Sequence, residues 1–226
     1  MSLMSIKKRL KQTKVIKDYL CFKVIYSECT SLWKYIKYQI SPRFENNTYW
    51  PIHERSEVRG KIIIGKGARV GHRPGCVIQG RGRVFIGDYV GIAPNCMIIS
   101  GNHDLYDQNK VVRKETIIGD YCWLASSSIL LAGVVLGPRT IVGAGAVVTK
   151  SFPDGYCVLA GNPARVVKTL DKEKFVCERP ETEFYGYIRE DKFASYYEKY
   201  LSHIKFTYDL KKVTNNKYLI ECLSTQ

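Results

Sequence analysis

A mainly β chain wound as a parallel β-helix is the fold this sequence predicts, and three observations predict it. Aliphatic residues recur six apart, at Ile86, Ile92 and Ile98 and again at Ile118, Leu124, Leu130, Leu136, Val142 and Val148. A small residue usually follows: Gly87, Ala93, Gly119, Ala125, Gly137 and Gly143. Three places on stands another small or β-branched residue: Val90, Cys96, Cys122, Ser128, Val134, Thr140 and Ala146. A helix repeats at about 3.6 residues and an amphipathic strand at about 2. Six is a multiple of two, but glycine next to each aliphatic would weaken an ordinary strand. The pattern instead fits hexapeptides that each form one side of a triangular coil, three to a turn. The aliphatic points inward, the small residues let the corner bend, and stacking buries one continuous core. A looser start, Ile64-Gly65 and Val70-Gly71, is set off by the insertion "QGRGR".

The chain divides into three segments on this reading. Residues 1–45 form a basic helical arm, because Ile6/Leu10, Ile16/Leu20 and Leu32/Ile36/Ile40 recur at helical spacing with lysines between them, giving helix over 5–40. Residues 46–170 are the β-helix, with a loop at 103–117. Residues 171–226 form a helical, aromatic-rich extension carrying Phe184, Tyr185, Tyr187, Phe193, Tyr196, Tyr197 and Tyr200. Aromatic faces can stack on sugars, but the stripe Phe193/Tyr197/Tyr200 reads as packing.

The net charge of +14 is unevenly placed. Residues 1–43 carry ten Lys/Arg against Asp18 and Glu28, while the last segment is balanced. Such an arm favours anionic partners, although a solvated helix face is the simpler reading. No nucleic-acid motif accompanies the charge, so nucleic acid is not expected. With 226 residues and 45% hydrophobic content the chain can bury one sizeable core. No apolar run reaches the roughly 18–20 residues of a membrane span, and Met1 to Lys17 does not read as a signal peptide. A cytoplasmic protein is expected, with peripheral contact at the inner membrane surface through the arm as an option. The eight cysteines are too scattered for a disulfide framework and form no CxxC. Cys96 and Cys122 sit in small-residue slots and read as buried.

The repeat breaks at "MIISGNHDLYDQNK". Ile98 and Ile118 are twenty apart, where three hexapeptides would give eighteen, and 104–116 do not keep the repeat. This polar stretch must leave the coil. It holds His103, one of four histidines. His72 reads as structural or solvent-facing, and a zinc site is not expected because no other histidine lies between 73 and 202.

"IGDYVGIAPNCMIISGNHD" followed by "IIGDYCWLASSSILLAGVVLGPRTIVGAGAVVTKSFPDGYCVLAGNPARVVK" resembles the hexapeptide-repeat acyltransferases with their left-handed β-helix, near the maltose and galactoside O-acetyltransferases and the polysaccharide or serine acetyltransferases. The similarity covers roughly 60–170. It implies an acetyl-CoA-dependent O-acetyltransferase that needs no metal, with His103 as general base in direct transfer to a saccharide hydroxyl, as in surface polysaccharide or lipopolysaccharide building. Asp104 or a main-chain carbonyl could orient the ring. The resemblance carries cofactor contacts to Trp123, Ser126 and Ala144 for the pantetheine arm, and to Thr149, Lys150, Arg165 and Lys168 for the phosphate and adenosine end. Trp123 could also simply cover the coil, and "GNPAR" could be a turn ending it. Because the cofactor groove of the family lies between subunits, a homotrimer follows. The family's sugar-contacting positions are not kept: Arg59, Arg73 and Arg81 stand there and point to an anionic or nucleotide-linked acceptor. The competing functions are N-acetylation of an amino sugar-nucleotide, serine acetylation, and a non-catalytic β-helical assembly module.

Overall fold

The computed structural model describes residues 14–26, 31–40, 48–176, 179–217 and 220–221. Its centre is the three-sided parallel β-helix that the repeat predicts, left-handed as the resemblance implies. Strands β1 (Glu57–Ile64), β2 (Val77–Ile86), β7 (Glu115–Ile118) and β10 (Val135–Leu136) build the first side, where Ile64, Ile86, Ile118 and Leu136 stack in parallel register. The second side holds β3 (Gly91–Ile92), β8 (Trp123–Leu124), β11 (Ile141–Val142) and β13 (Cys157–Ala160), stacking Ile92, Leu124, Val142 and Leu159. The third side uses the first half of β2 with β4 (Met97–Ile99), β9 (Ile129–Leu130) and β12 (Val147–Val148). Each of these aliphatics is buried, worth about 1.5–3 kcal/mol apiece. Strand β14 (Arg165–Thr169) folds back antiparallel on β13 through the turn at 161–164 and ends the coil.

Two features of the corners differ from the sequence expectation. The glycine after each aliphatic is not where the chain bends. It is required because coils stack there at backbone contact: a Cβ on Gly119 would lie 2.7 Å from Pro138 N and 2.9 Å from Val213 O. The bend falls two residues later, at Tyr89, Asn95, Tyr121, Ser127, Arg139 and Gly145, all with φ between 55° and 68°. The polar excursion is also longer than the spacing suggested. Ile98 and Ile118 occupy consecutive sides of the coil, and Ile118 stacks on Ile86, 32 residues earlier. The next turn, from Ile118 to Leu136, takes 18, so fourteen residues are inserted. Cys96 and Cys122 are buried as expected.

Helices α1 (Lys14–Ile25) and α2 (Leu32–Ile40) occupy part of the expected basic helix; its residues 5–13 and 27–30 lie outside the described ones. They pack on an aromatic cluster of Phe22, Tyr26, Tyr35, Phe184 and Tyr187. The C-terminal extension, expected to be helical, holds α3 (Glu190–Tyr200), preceded by the small hairpin of β15 (Phe184–Tyr185) and β16 (Ile188–Arg189), and is helical again at residues 217 and 220–221. Most of the rest is turns held to the coil by polar contacts. Glu115 accepts N–H bonds from Thr207 and Tyr208, and Asp120 accepts one from Asn215. Asn216 Nδ2 donates to Asp88 Oδ1 at 2.8 Å. This strapping runs along the first side, from Glu115 at the start of β7 to Asp120 just after its end. The stripe Phe193/Tyr197 is buried as packing, with Tyr200 partly exposed.

Candidate active site

The fourteen-residue insertion forms a hairpin of β5 (Gly101–His103) and β6 (Val111–Arg113) at the corner between the third and first sides. Buried Ser100 and Thr116 clamp its root. Ser100 Oγ donates to Gln79 O at 2.9 Å and accepts from Gly82 N, while Thr116 Oγ1 donates to Ile99 O at 2.7 Å. Gly82 can only be glycine here, since a Cβ would sit 2.0 Å from Lys114 O. His103, the last residue of β5, is therefore presented to solvent from a fixed base.

Both ring nitrogens have partners of one kind only. Nδ1 lies 2.5 Å from the Gln108 carbonyl oxygen, which can only accept. Nε2 lies 3.4 Å from Arg81 Nη1, which can only donate. The two contacts fix one tautomer, with the proton on Nδ1 and the lone pair on Nε2. Asp104 is engaged elsewhere: its Oδ1 accepts the N–H groups of Tyr106 and Asp107 and holds the loop turn. Of the two orienting groups left open by the sequence, the main-chain carbonyl makes the contact to the ring. No side-chain pattern could have singled out Gln108, because its backbone does the work. Arg81 was readable from the resemblance as standing at an acceptor-contacting position, but not as a neighbour of His103.

The other candidate residues fall on separate parts of the coil. Ser126 and Ala144 are exposed on the corner between the second and third sides, one coil apart, where Gly145 N donates to Ser126 O. A Cβ on Gly145 would meet nothing within 4 Å, so this edge is open. Below Ser126 a groove of about 240 Å³ is lined by Arg69, His72, Arg73, Ala93, Pro94 and Trp123. The Trp123 ring covers Gly91, whose Cβ would come within 2.4 Å of it, yet Trp123 stays 43% exposed. Lys168 pairs with Val158, in the same outward row as Trp123 and Ile141. Arg165 is exposed beside Ala160 at the top of the second side. Thr149 and Lys150 are exposed after β12, on the corner that carries the hairpin. "GNPAR" does form the turn that closes the coil, with Ala164 buried and its N–H donated to Val147 O. Within one chain, then, His103 and the Ser126/Ala144 edge lie on opposite margins of the third side. Among the described residues no group of three His, Cys, Asp or Glu is placed to hold a metal.

The family model for the bacterial transferase hexapeptide (six repeats) matches residues 115–150. Galactoside O-acetyltransferase of Escherichia coli (strain K12) is 35% identical over 96 residues, covering 40% of this chain and 47% of the relative. The putative colanic acid biosynthesis acetyltransferase WcaF of the same organism is 36% identical over 103 residues, covering 45% and 51%. The chain thus spans about half the length of the curated relatives it matches. A solved galactoside acetyltransferase in complex with coenzyme A superimposes with a TM-score of 0.51 at 24% identity, over 74% of this chain and 88% of that one. That likeness is one of fold. Period, coil and family model agree over residues 115–150, where the chain is similar to the bacterial hexapeptide-repeat transferases.

Proposed function

We propose that this chain is an acetyl-CoA-dependent O-acetyltransferase that acts on a saccharide hydroxyl, with His103 as general base. The fixed tautomer of His103 carries this reading. Nε2, on an exposed ring above a rigid root and 3.4 Å from Arg81 Nη1, carries the lone pair that a base needs before an acceptor arrives. Nε2 takes the proton as the hydroxyl oxygen attacks the acetyl carbonyl. A carbon–oxygen bond forms, the carbon–sulfur bond breaks, and the imidazolium returns the proton to the departing sulfur. Backbone N–H groups of the coil are the donors for the transient oxyanion.

The open edge of Ser126, Ala144 and Gly145 fits the pantetheine arm of the donor, and Trp123 marks its thioester end. Arg165, Lys168, Thr149 and Lys150 offer charge and hydrogen bonds for phosphates. Because His103 and this edge lie on opposite margins of one coil, the reading requires a neighbouring copy, and a homotrimer supplies one. Arg81 beside Nε2 favours an acidic acceptor, in keeping with the relative named for colanic acid. No described helix is long and apolar enough to cross a membrane, and the proposed setting is the cytoplasm.

Thiol release from acetyl-CoA, measured with a panel of neutral and acidic saccharides, tests the proposal. Release should require both substrates, and His103→Ala should lower it about 10²–10⁴-fold with the assembly intact. Unchanged turnover in that variant would remove His103 from the chemistry. A protein that does not bind coenzyme A calorimetrically would be an assembly module instead.

A further inference from the structure

Helices α1 and α2 bury one face each on the aromatic cluster, with ring centroids of Phe22 and Tyr35 5.0 Å apart and those of Phe22 and Tyr187 5.5 Å apart. Their opposite faces are built in an unusual way for solvent-facing helix. On α1, Leu20 and Val24 stand one turn apart and are 45% and 79% exposed, with Lys17 and Lys23 on either flank. On α2, Trp33 and Ile40 are 80% and 78% exposed, with Lys37 between them and Lys34 alongside. The four lysines are exposed. The acid of these two helices, Asp18, is turned inward, where its Oδ2 meets Arg189 Nη1. Neither outward face therefore carries a carboxylate.

We propose that these two faces seat the chain on an anionic lipid bilayer. A solvated helix would place Glu and Lys outward, and a protein contact would dilute the lysines with acids. An apolar stripe edged only by lysine matches a surface with acyl chains below and negative headgroups above. Trp33 suits the interface, since an indole is apolar in body and polar at one edge. The lysine stems run along the apolar stripe while their ammonium groups reach the phosphates. The charge of residues 1–13, with Lys7, Lys8, Arg9 and Lys11, has the same sign and adds to the attraction. An acceptor carried on a lipid would then be met at the membrane, but the proposal does not depend on the acetyl-transfer reading.

The test is sedimentation of the full chain with vesicles of phosphatidylcholine alone or with about a third phosphatidylglycerol. Binding should occur to the anionic vesicles, weaken as salt is raised, and blue-shift tryptophan emission in a way that Trp33→Phe abolishes. Two combined variants probe the faces separately: Leu20→Ser/Val24→Ser/Trp33→Ser/Ile40→Ser and Lys17→Glu/Lys23→Glu/Lys34→Glu/Lys37→Glu. Each should weaken binding at least tenfold while circular dichroism stays that of the parent. Equal binding to both vesicle types, or no binding, overturns the proposal. So does a variant that breaks up the assembly yet binds vesicles as before, which would assign the faces to contact between copies.

Discussion

Asp120 Oδ1 accepts the backbone N–H of Asp88 at 2.8 Å, so two carboxyl groups of adjacent coils stack in the interior beneath the C-terminal strap. Asp88 in turn accepts from Lys66 N and from Asn216 Nδ2. Burial, helped by the nearby Asp120, pushes Asp88 from 3.8 up to about 7, and burial also raises Asp120. A carboxyl whose pKa is raised on folding contributes its stability below the unfolded value, near 4, and loses it as pH rises towards 7. Asp88→Asn removes that ionisation and keeps an acceptor. The variant should match the parent near pH 4. It should exceed the parent by up to about 4 kcal/mol above pH 7, at about 1.4 kcal/mol per unit, a difference on the order of 10 °C in melting temperature. A melting difference that does not change between pH 4 and 8 would refute it.

The corner geometry makes an opposite pair of predictions. Gly119→Ala places a methyl group among the backbone atoms of Pro138, Gly137 and Val213, none of which can rotate away. It should cost about 1–3 kcal/mol or more. Ser127, exposed at φ 60°, has the strained left-handed conformation, so Ser127→Gly should be neutral or gain up to about 1 kcal/mol. Denaturant midpoints of the two variants check both signs.

These corners also show where the sequence was legible. The aliphatic period is written in side chains that must fill one column, so the sides of the coil were readable residue by residue. The left-handed position is set by the backbone path and is occupied by Tyr, Asn, Ser, Arg or Gly, so composition hides it. The route of the tail was hidden for a related reason. It is fixed by contacts such as Asn216 to Asp88, 128 residues apart, which no local pattern records. In the site, His103 stood out because a polar loop interrupts an apolar period. The carbonyl of Gln108 did not, because every residue has one.

Asp104 discriminates between two ways of supporting His103. If its Oδ1 serves the turn by accepting from Tyr106 and Asp107, Asp104→Asn keeps an oxygen there and should retain activity within a few-fold. Asp104→Ala loses the turn and should lower kcat further by loosening the loop. Were the carboxylate charge itself needed to stabilise an imidazolium, the Asn variant would fall by orders of magnitude, as isosteric amides do in triads. Measuring kcat for both variants at saturating acetyl-CoA separates the cases.

Arg81 tests the nature of the acceptor. Its Nη1 approaches His103 Nε2 at 3.4 Å, and among the described residues no carboxylate pairs with it. A guanidinium placed there can bind a carboxylate or phosphate on the acceptor while the neighbouring hydroxyl meets Nε2. Arg81→Ala should then raise KM for an acidic saccharide by about 10-fold or more, the scale of one lost charge-assisted bond at 1.5–3 kcal/mol. KM for a neutral sugar and for acetyl-CoA should stay near the parent's. Arg81→Lys should recover part of the loss, because it restores the charge without the two-pronged geometry. Equal losses on acidic and neutral sugars would instead make Arg81 a positioning residue for His103, and the acceptor need carry no charge.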